Sequence, residues 1–371
     1  MDAESRWDLA ITHRADEAPR FISEYFESKD REVLFIAGAG FDPRATIIGQ
    51  KLAALKLPTI HAALIKESRP ESDATLRQLA TDNLKVLADC FPAHQLLSIS
   101  IFGQDNSVTG GRASALAVSA LNLGGITDVV VDISALSIGT SFPIIRWMVE
   151  EAIASRPDLN IHVVVAHQPE LDARIKAVPS DIPVSVHGFN GRMSLSSVGQ
   201  RQAKLWLPQL AAGRAASLRR IHDVVIPDEV CVVLPFPANH PRIGDALLVE
   251  MLETGGIPWE MDSRSIVYAD ESDPLDLYRT IMRLHALREP VFAETGGSTL
   301  ILSPVGSKVM ALGALLAGLE RDLPVMYLED FGYEFVGAST LAADQPELMH
   351  VWLEGSPYTF PRPALTRAAG A

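Results

Sequence analysis

Short apolar runs alternate along the chain with longer stretches of mixed polarity. Runs over 33–37, 60–65, 128–133 and 161–166 lack regular polar alternation, so they read as strands buried on both faces, and 94–101 reads as a further strand. Helices are predicted between them over 46–55 and 114–121, with a long one over 142–155 carrying Ile144, Ile145, Met148, Val149 and Ile153. Residues 1–30 read as an amphipathic lead-in whose Phe21, Tyr25 and Phe26 are spaced to pack on the first domain. A second series starts with a strand over 230–234 and continues with a helix over 246–253 and a strand over 265–269. There Asp273 can cap a helix that has Pro274 at its first position. A strand over 299–302, a helix over 308–320 and a strand over 325–328 complete the series. The section between the two series, 169–228, is less regular; a helical stretch is read over 197–210, and the tail from 357 as a mobile end. Strands separated by helices predict an α/β protein with two Rossmann-like parallel-sheet domains related by pseudo-symmetry.

The pseudo-symmetry rests on a repeated pattern. Val33-Leu34-Phe35-Ile36-Ala37 opens into Gly38-Ala39-Gly40-Phe41-Asp42-Pro43-Arg44, and Val230-Cys231-Val232-Val233-Leu234 opens into a turn ending Asn239-His240-Pro241-Arg242-Ile243-Gly244-Asp245. Further on, each series has a small-residue turn leading into a helix: Asp132-Ile133-Ser134-Ala135-Leu136-Ser137-Ile138-Gly139-Thr140-Ser141 in the first, Leu302-Ser303-Pro304-Val305-Gly306-Ser307-Lys308 in the second. The expected division is a first domain over 1–168, a bridge over 169–228, a second domain over 229–356 and a tail over 357–371. Strand ends that meet helix starts collect unpaired N–H groups and helix dipole, which is where α/β proteins hold ligands. Two such pairs predict one composite cleft.

Composition narrows the function classes. A length of 371 residues exceeds the usual single core, and 47% hydrophobic residues can fill two. No apolar run reaches the roughly 18 residues that would span a bilayer, and the charged start Met1-Asp2-Ala3-Glu4 lacks a signal-peptide core; a soluble, cytoplasmic protein is expected. Two cysteines, Cys90 and Cys231, supply neither a disulfide framework nor a thiolate metal site. A formal net charge of −14 argues against a long nucleic acid as partner, and the basic group Arg214, Arg219 and Arg220 reads as a solvated helix face.

The candidate chemistry lies in the strand-end turns. Gly38 and Gly40 resemble the start of a dinucleotide fingerprint, but the third glycine is missing and Asp42-Pro43 would intrude on a pyrophosphate, which disfavours a dehydrogenase. Arg44 could meet an anion bidentately, or pair with a neighbouring acid. His240 could serve as acid or base, Arg242 could bind an anion and Asp245 could orient either, or Asp245 could only complement its helix. Ser303, Gly306, Ser307 and Lys308 form the sharpest anion-binding pattern, although the order of a P-loop is absent. Asp270, Glu271, Asp273 and Asp276 cluster without a metal-binding spacing, and neither Ser134 nor Ser303 lies in a nucleophile elbow. No metal site is expected, and the residues leave the cofactor unknown.

The strand-end loops, with Gly306-Ser307-Lys308 and Gly139-Thr140 before late helices, resemble those of CRISPR-associated Rossmann-fold (CARF) sensor domains and of SAVED domains. That resemblance implies nucleotide-signal binding by Arg44, Thr140, Arg242, Ser307 and Lys308; Gly38, Gly40, Gly139, Ser303 and Gly306 of the same turns are expected to bind the ligand with them. It also implies a protein effector partner. The expected function is therefore a sensor of a nucleotide or other phosphorylated small molecule. The alternatives are an enzyme on a nucleotide-like or sugar-phosphate substrate, with His240 and Asp245 as catalytic groups, and a non-catalytic assembly component.

Overall fold

The computed structural model describes residues 5–70, 73–172, 174–191, 202–253, 263–335 and 346–358. It divides into two compact units. The first is Ala10–Val178 with Asp330–Pro361; the described residues of the second fall within Met1–Leu9 and Pro179–Glu329.

The first unit lays down β1 (Ile11–Arg14), α1 (Glu17–Phe26), β2 (Glu32–Gly38), α2 (Ile47–Ala53), β3 (Thr59–Ser68), α3 (Ala74–Cys90), β4 (Gln95–Ser100), α4 (Gly110–Ser119) and β5 (Asp128–Asp132). Helix α5 (Ile138–Trp147) then continues through a π-helical turn, Met148–Ala152, into α6 (Ile153–Ser155), and β6 (Asn160–His167), α7 (Pro169–Asp172) and β7 (Ile175–Pro179) come next. The sheet order is β1-β16-β6-β5-β2-β3-β4, where β16 is the late strand Glu347–Glu354. The five strands from β2 to β6 pair parallel, whereas β16 is antiparallel to β6 and β1 to β16. Alternate positions of the parallel strands, Val33, Phe35, Ala37, Leu64, Val130 and Val164, pack against Ile22 and Phe26 of α1, Ile48 and Leu52 of α2 and Leu87 of α3. The intervening positions, among them Leu34, Ile36, Val129 and Val131, are buried too, which accounts for the continuous apolar runs. Truncating Phe35 to alanine would cost about 3–5 kcal/mol.

The second unit continues with β8 (Val184–Ser185), β9 (Ala203–Pro208), α8 (Ala215–Val225), β10 (Glu229–Val230), β11 (Val232–Pro235), α9 (Ile243–Glu253), β12 (Ile266–Ala269), α10 (Pro274–Phe292), β13 (Ser298–Ser303), α11 (Lys308–Arg321) and β14 (Met326–Tyr327). Strand β9 lies between β10 and β13, parallel to both, and β11 pairs parallel with β12. Single parallel bridges join Gln209 to Val233 and Leu302 to Val325, so the order runs β12, β11 with β10, β9, β13 and the segment at Val325. Helix α11 is buried all round from Val309 to Glu320. At Gly313 a Cβ would stand 2.3 Å from the carbonyl oxygen of Pro274, so only glycine lets α10 come this close.

Three expectations change. Residues 203–208 are not helical but form the central strand of the second sheet: Leu205, Trp206 and Leu207 are all buried and Pro208 ends the run, as suits a strand covered on both faces. Residues 197–201 of that expected helix, like the tail from 359, lie outside the described residues. The expected boundaries after 168, 228 and 356 do not match the observed division. The chain leaves the first unit after Val178 and re-enters it at Asp330, because β15 (Asp330–Phe335) pairs with β7 and β16 inserts between β1 and β6. The two similar runs also take different places in their sheets. Strand β2 is the first parallel strand of its unit, whereas 230–235 supplies the second of its own, in which β9 comes first. Helix α3, unread in the sequence, starts at Asp73, whose carboxylate accepts from the amides of Thr75 and Leu76. Capping by Asp273 at the start of α10 is found as expected.

Candidate functional site

Counted within its own unit, each parallel set has the order third, second, first, fourth, fifth: β4-β3-β2-β5-β6 in one, and β12-β11-β9-β13 followed by Val325 in the other. Strand order reverses between first and fourth strands, and the carboxyl ends there form the topological switch point where open α/β sheets bind ligands. That point lies between β2 and β5 in the first unit and between β9 and β13 in the second.

The first switch point is filled by the protein's own charges. At Gly38 a Cβ would come within 2.9 Å of the Ala135 carbonyl oxygen, so the loops after β2 and β5 touch. Gly40 lies in the same loop, and its carbonyl accepts from Asn83 Nδ2 at 2.8 Å. Arg44 is 3% exposed and turns inward: Nε donates to Asp42 Oδ1 at 3.0 Å, and Nη2 lies 2.7 Å from Asp42 Oδ2 and 2.8 Å from Asp172 Oδ1. Burial works against its charge, but the two carboxylates prevail and raise its pKa. The bidentate fork foreseen for an external anion is thus used on Asp42.

Helix α5 starts at the Ser137 cap, which places Gly139 and Thr140 in its first turn rather than in an open loop. The anion at this helix start is Glu67, from the end of β3, whose Oε1 accepts from Ser137 N at 3.0 Å and Ser137 Oγ at 2.9 Å. Burial disfavours the charge of Glu67, yet Arg69, with Nη2 at 2.9 Å, and the Ser137 amide hold it below the ordinary carboxylate value. Asp132 ends β5. Its Oδ1 accepts from Ser134 N at 2.9 Å and Ser134 Oγ at 2.5 Å, while Oδ2 is buried with no hydrogen-bond partner among the described residues. Burial, reinforced by Asp42, pushes this carboxyl up to about 7. His167 Nε2, at the end of β6, is likewise buried without a partner among the described residues.

The second switch point is built differently. Ser303 ends β13 fully buried and accepts from Trp206 Nε1 at 2.9 Å. Ser307 caps α11, its hydroxyl accepting from Met310 N, and Lys308 is the first helical residue, half-buried. A Cβ on Gly306 would stand 3.4 Å from Gln209 Oε1. Gln209 comes directly after β9, is 2% exposed, and its Oε1 has no partner among the described residues. Four of the expected residues, Ser303, Gly306, Ser307 and Lys308, thus gather at one strand end.

His240, Arg242 and Asp245 do not belong to that group. They come after β11, the second strand, and all three lie at the entry of α9, where His240 and Arg242 flank Pro241 on the surface. Three carboxylates after β12 serve their own turn, Asp270 accepting from Ser272, Asp273 from Leu275 N and Asp276 from Asp270 N, while Glu271 accepts from Asn239 N of the turn after β11. Sequence reasoning missed Glu67, Asp172 and Gln209, and placed Asp132 in its turn without giving it a role. Glu67 and Asp132 could have been singled out as carboxylates ending apolar strands, and Gln209 as the polar residue directly after one.

No family model matches the chain, and no curated protein matches it. One similar solved structure is an N-terminal ketoreductase from a macrolactin assembly line, 9% identical over 84% of this chain and 70% of that one, with a TM-score of 0.20. A likeness that distant carries no functional argument, so the strand pairing itself defines the chain as α/β with a large, mostly parallel, Rossmann-like sheet.

Proposed function

We propose that the protein is a ligand sensor whose second unit binds an anionic small molecule, a nucleotide or another phosphorylated metabolite, at the β9/β13 switch point and signals the bound state to a protein partner. The observation that carries this reading is the turn over 303–308. Gly306 lies against Gln209 Oε1, which has no partner among the described residues, beside a helix start whose first residue is Lys308. A phosphate suits the helix start and the lysine, and a hydroxyl or base N–H of the same ligand suits the amide oxygen. The common strand order of the two units supports an internal duplication, with ligand binding concentrated in the second copy.

The test is a thermal-shift screen of cyclic and linear nucleotides and sugar phosphates. A ligand at 100 times its dissociation constant stabilises by about 2.7 kcal/mol. A stabilising ligand that loses its effect on Lys308→Glu supports the reading, and a panel without any shift sinks it.

An enzyme acting on a nucleotide-like or sugar-phosphate substrate is the second reading, favoured by Asp132, whose carboxyl titrates near neutrality at a strand end. Product release from any member of the panel, lost in Asp132→Asn, would replace the sensor with that enzyme.

A further inference from the structure

At the other end of the first sheet, near the amino ends of β5 and β6, four titratable side chains form a hydrogen-bonded row across four neighbouring strands. Asp128 Oδ1 lies 3.2 Å from His162 Nε2, His162 Nδ1 lies 2.9 Å from His350 Nε2, and His350 Nδ1 lies 2.9 Å from His13 Nδ1. Asp128, His162 and His350 are fully buried. Helix α1 covers the row: the Phe21 ring stacks on His13 at 4.2 Å and on His350 at 4.3 Å between centroids.

Donor and acceptor roles start from Asp128. Its carboxylate also accepts from Tyr25 Oη at 2.9 Å, Thr127 Oγ1 at 2.6 Å and Arg31 Nη1 at 3.1 Å, and Arg31 stacks over the Tyr25 ring at 3.6 Å. These donors and His162 keep the carboxyl below its ordinary value against the effect of burial. An ionised Asp128 can only accept, so His162 carries its proton on Nε2. Neutral His162 then presents a bare Nδ1, which needs a proton on His350 Nε2. Neutral His350 presents a bare Nδ1, which needs a proton on His13 Nδ1. Each tautomer is set by the one before it.

We infer that Asp128, His162, His350 and His13 form a proton relay that fastens β1 and α1 to the sheet only while its two buried imidazoles are neutral, an acid-sensitive latch. His13 can take a proton on Nε2 without breaking the row, and Glu17 on α1 favours that charge. A proton on His350 Nδ1 would face the N–H of His13, and one on His162 Nδ1 would face the N–H of His350. Two donors would then oppose each other in a buried place where Arg31 is already positive and Asp128 is the one carboxylate in the row. Strand β16 carries His350 and is the strand on which β1 pairs, so this break undoes the attachment of residues 11–26.

Burial lowers the pKa of all three histidines from their ordinary 6.5, that of His350 most clearly. The unfolded chain therefore binds more protons than the folded one below pH 6.5. The latch's contribution is complete above that pH and is lost as pH falls through it. Each histidine that stays neutral while folded adds about a tenfold loss in the folded-to-unfolded ratio per pH unit.

Two measurements on the full chain decide the matter. Histidine 15N NMR at pH 8 is expected to find His162 and His350 as Nε2–H and His13 as Nδ1–H tautomers; His350 protonated on Nδ1 would overturn the relay. Hydrogen exchange between pH 7.5 and 5.5, corrected for intrinsic rates, is expected to show the amides of β1 losing protection at least tenfold while those of β2 keep theirs. In His350→Gln, which can donate and accept but does not titrate, that loss should shrink. Unchanged β1 protection at pH 5.5 in the wild type, or an undiminished loss in His350→Gln, would refute the latch.

Discussion

The two switch points share a strand order and differ in what fills them. In the first unit Glu67 occupies the start of α5, Asp42 and Asp172 occupy Arg44, and Asp132 ends the neighbouring strand with one buried oxygen left over. In the second, α11 is capped by its own Ser307, begins with Lys308, and has the amide oxygen of Gln209 against Gly306. The difference teaches that a helix start at the right place in an α/β sheet is not by itself an anion site. A carboxylate from another strand of the sheet can satisfy the same amides from inside, and such a place is then structural.

The strongest way to break this comparison is to remove the charge that holds the first site together. Arg44→Ala leaves Asp42 and Asp172 facing each other, and denaturant unfolding should show a loss of about 3–5 kcal/mol. A loss below about 1 kcal/mol, the range of an exposed pair, would mean that the arginine is not fastened as its distances indicate. Lys308→Glu sharpens the other side. It should weaken binding of a phosphorylated ligand by about 10- to 100-fold, equivalent to ~1.5–3 kcal/mol, while titration with denaturant still shows a cooperatively folded protein.

Asp132→Asn tests the buried acid through pH. A carboxyl whose folded pKa is raised to about 7 contributes stability that is fully present below its ordinary value of 3.8 and is lost as pH rises through the folded value. Wild type should therefore lose up to ~1.4 kcal/mol per pH unit from this group between about pH 4 and 7, and Asp132→Asn should not. Equal pH profiles for both proteins would place the Asp132 carboxyl in an ordinary environment. The histidine row of the same unit has the opposite sign, its contribution growing as pH rises, so the two effects oppose each other across the acidic range. The smallest effect is expected for His240→Ala, since that residue is exposed after the second strand. Stability should stay within about 0.5 kcal/mol and ligand affinity should not change.

Much of the fold was legible because parallel strands buried on both faces write themselves as apolar runs, as at 33–37 and 128–133. Strand 203–208 was not, because the few apolar residues at Leu205, Trp206 and Leu207 fit a helix as well as a strand until a neighbour is known. That one misreading matched β2 with the second strand of the other unit rather than its first, and lent His240 and Asp245 a prominence that their position does not support. The return of 347–354 to the first sheet was equally hidden, since antiparallel insertion depends on contacts with β1 and β6, both far away in sequence. The turn at 303–308 was found from its residues alone, because a capping serine, a glycine and a lysine at a helix start obey local rules. Its partner Gln209 was not, because what matters there is an unmade hydrogen bond.

The central claim, that the second switch point takes an anion and the first is closed by its own carboxylates, is tested most directly by isothermal titration of the most stabilising phosphorylated ligand. Wild type, Lys308→Glu and Glu67→Gln would be compared side by side. Affinity lost in Lys308→Glu and kept in Glu67→Gln is the predicted result. Affinity kept in Lys308→Glu, or lost in Glu67→Gln while that variant remains folded, would contradict it.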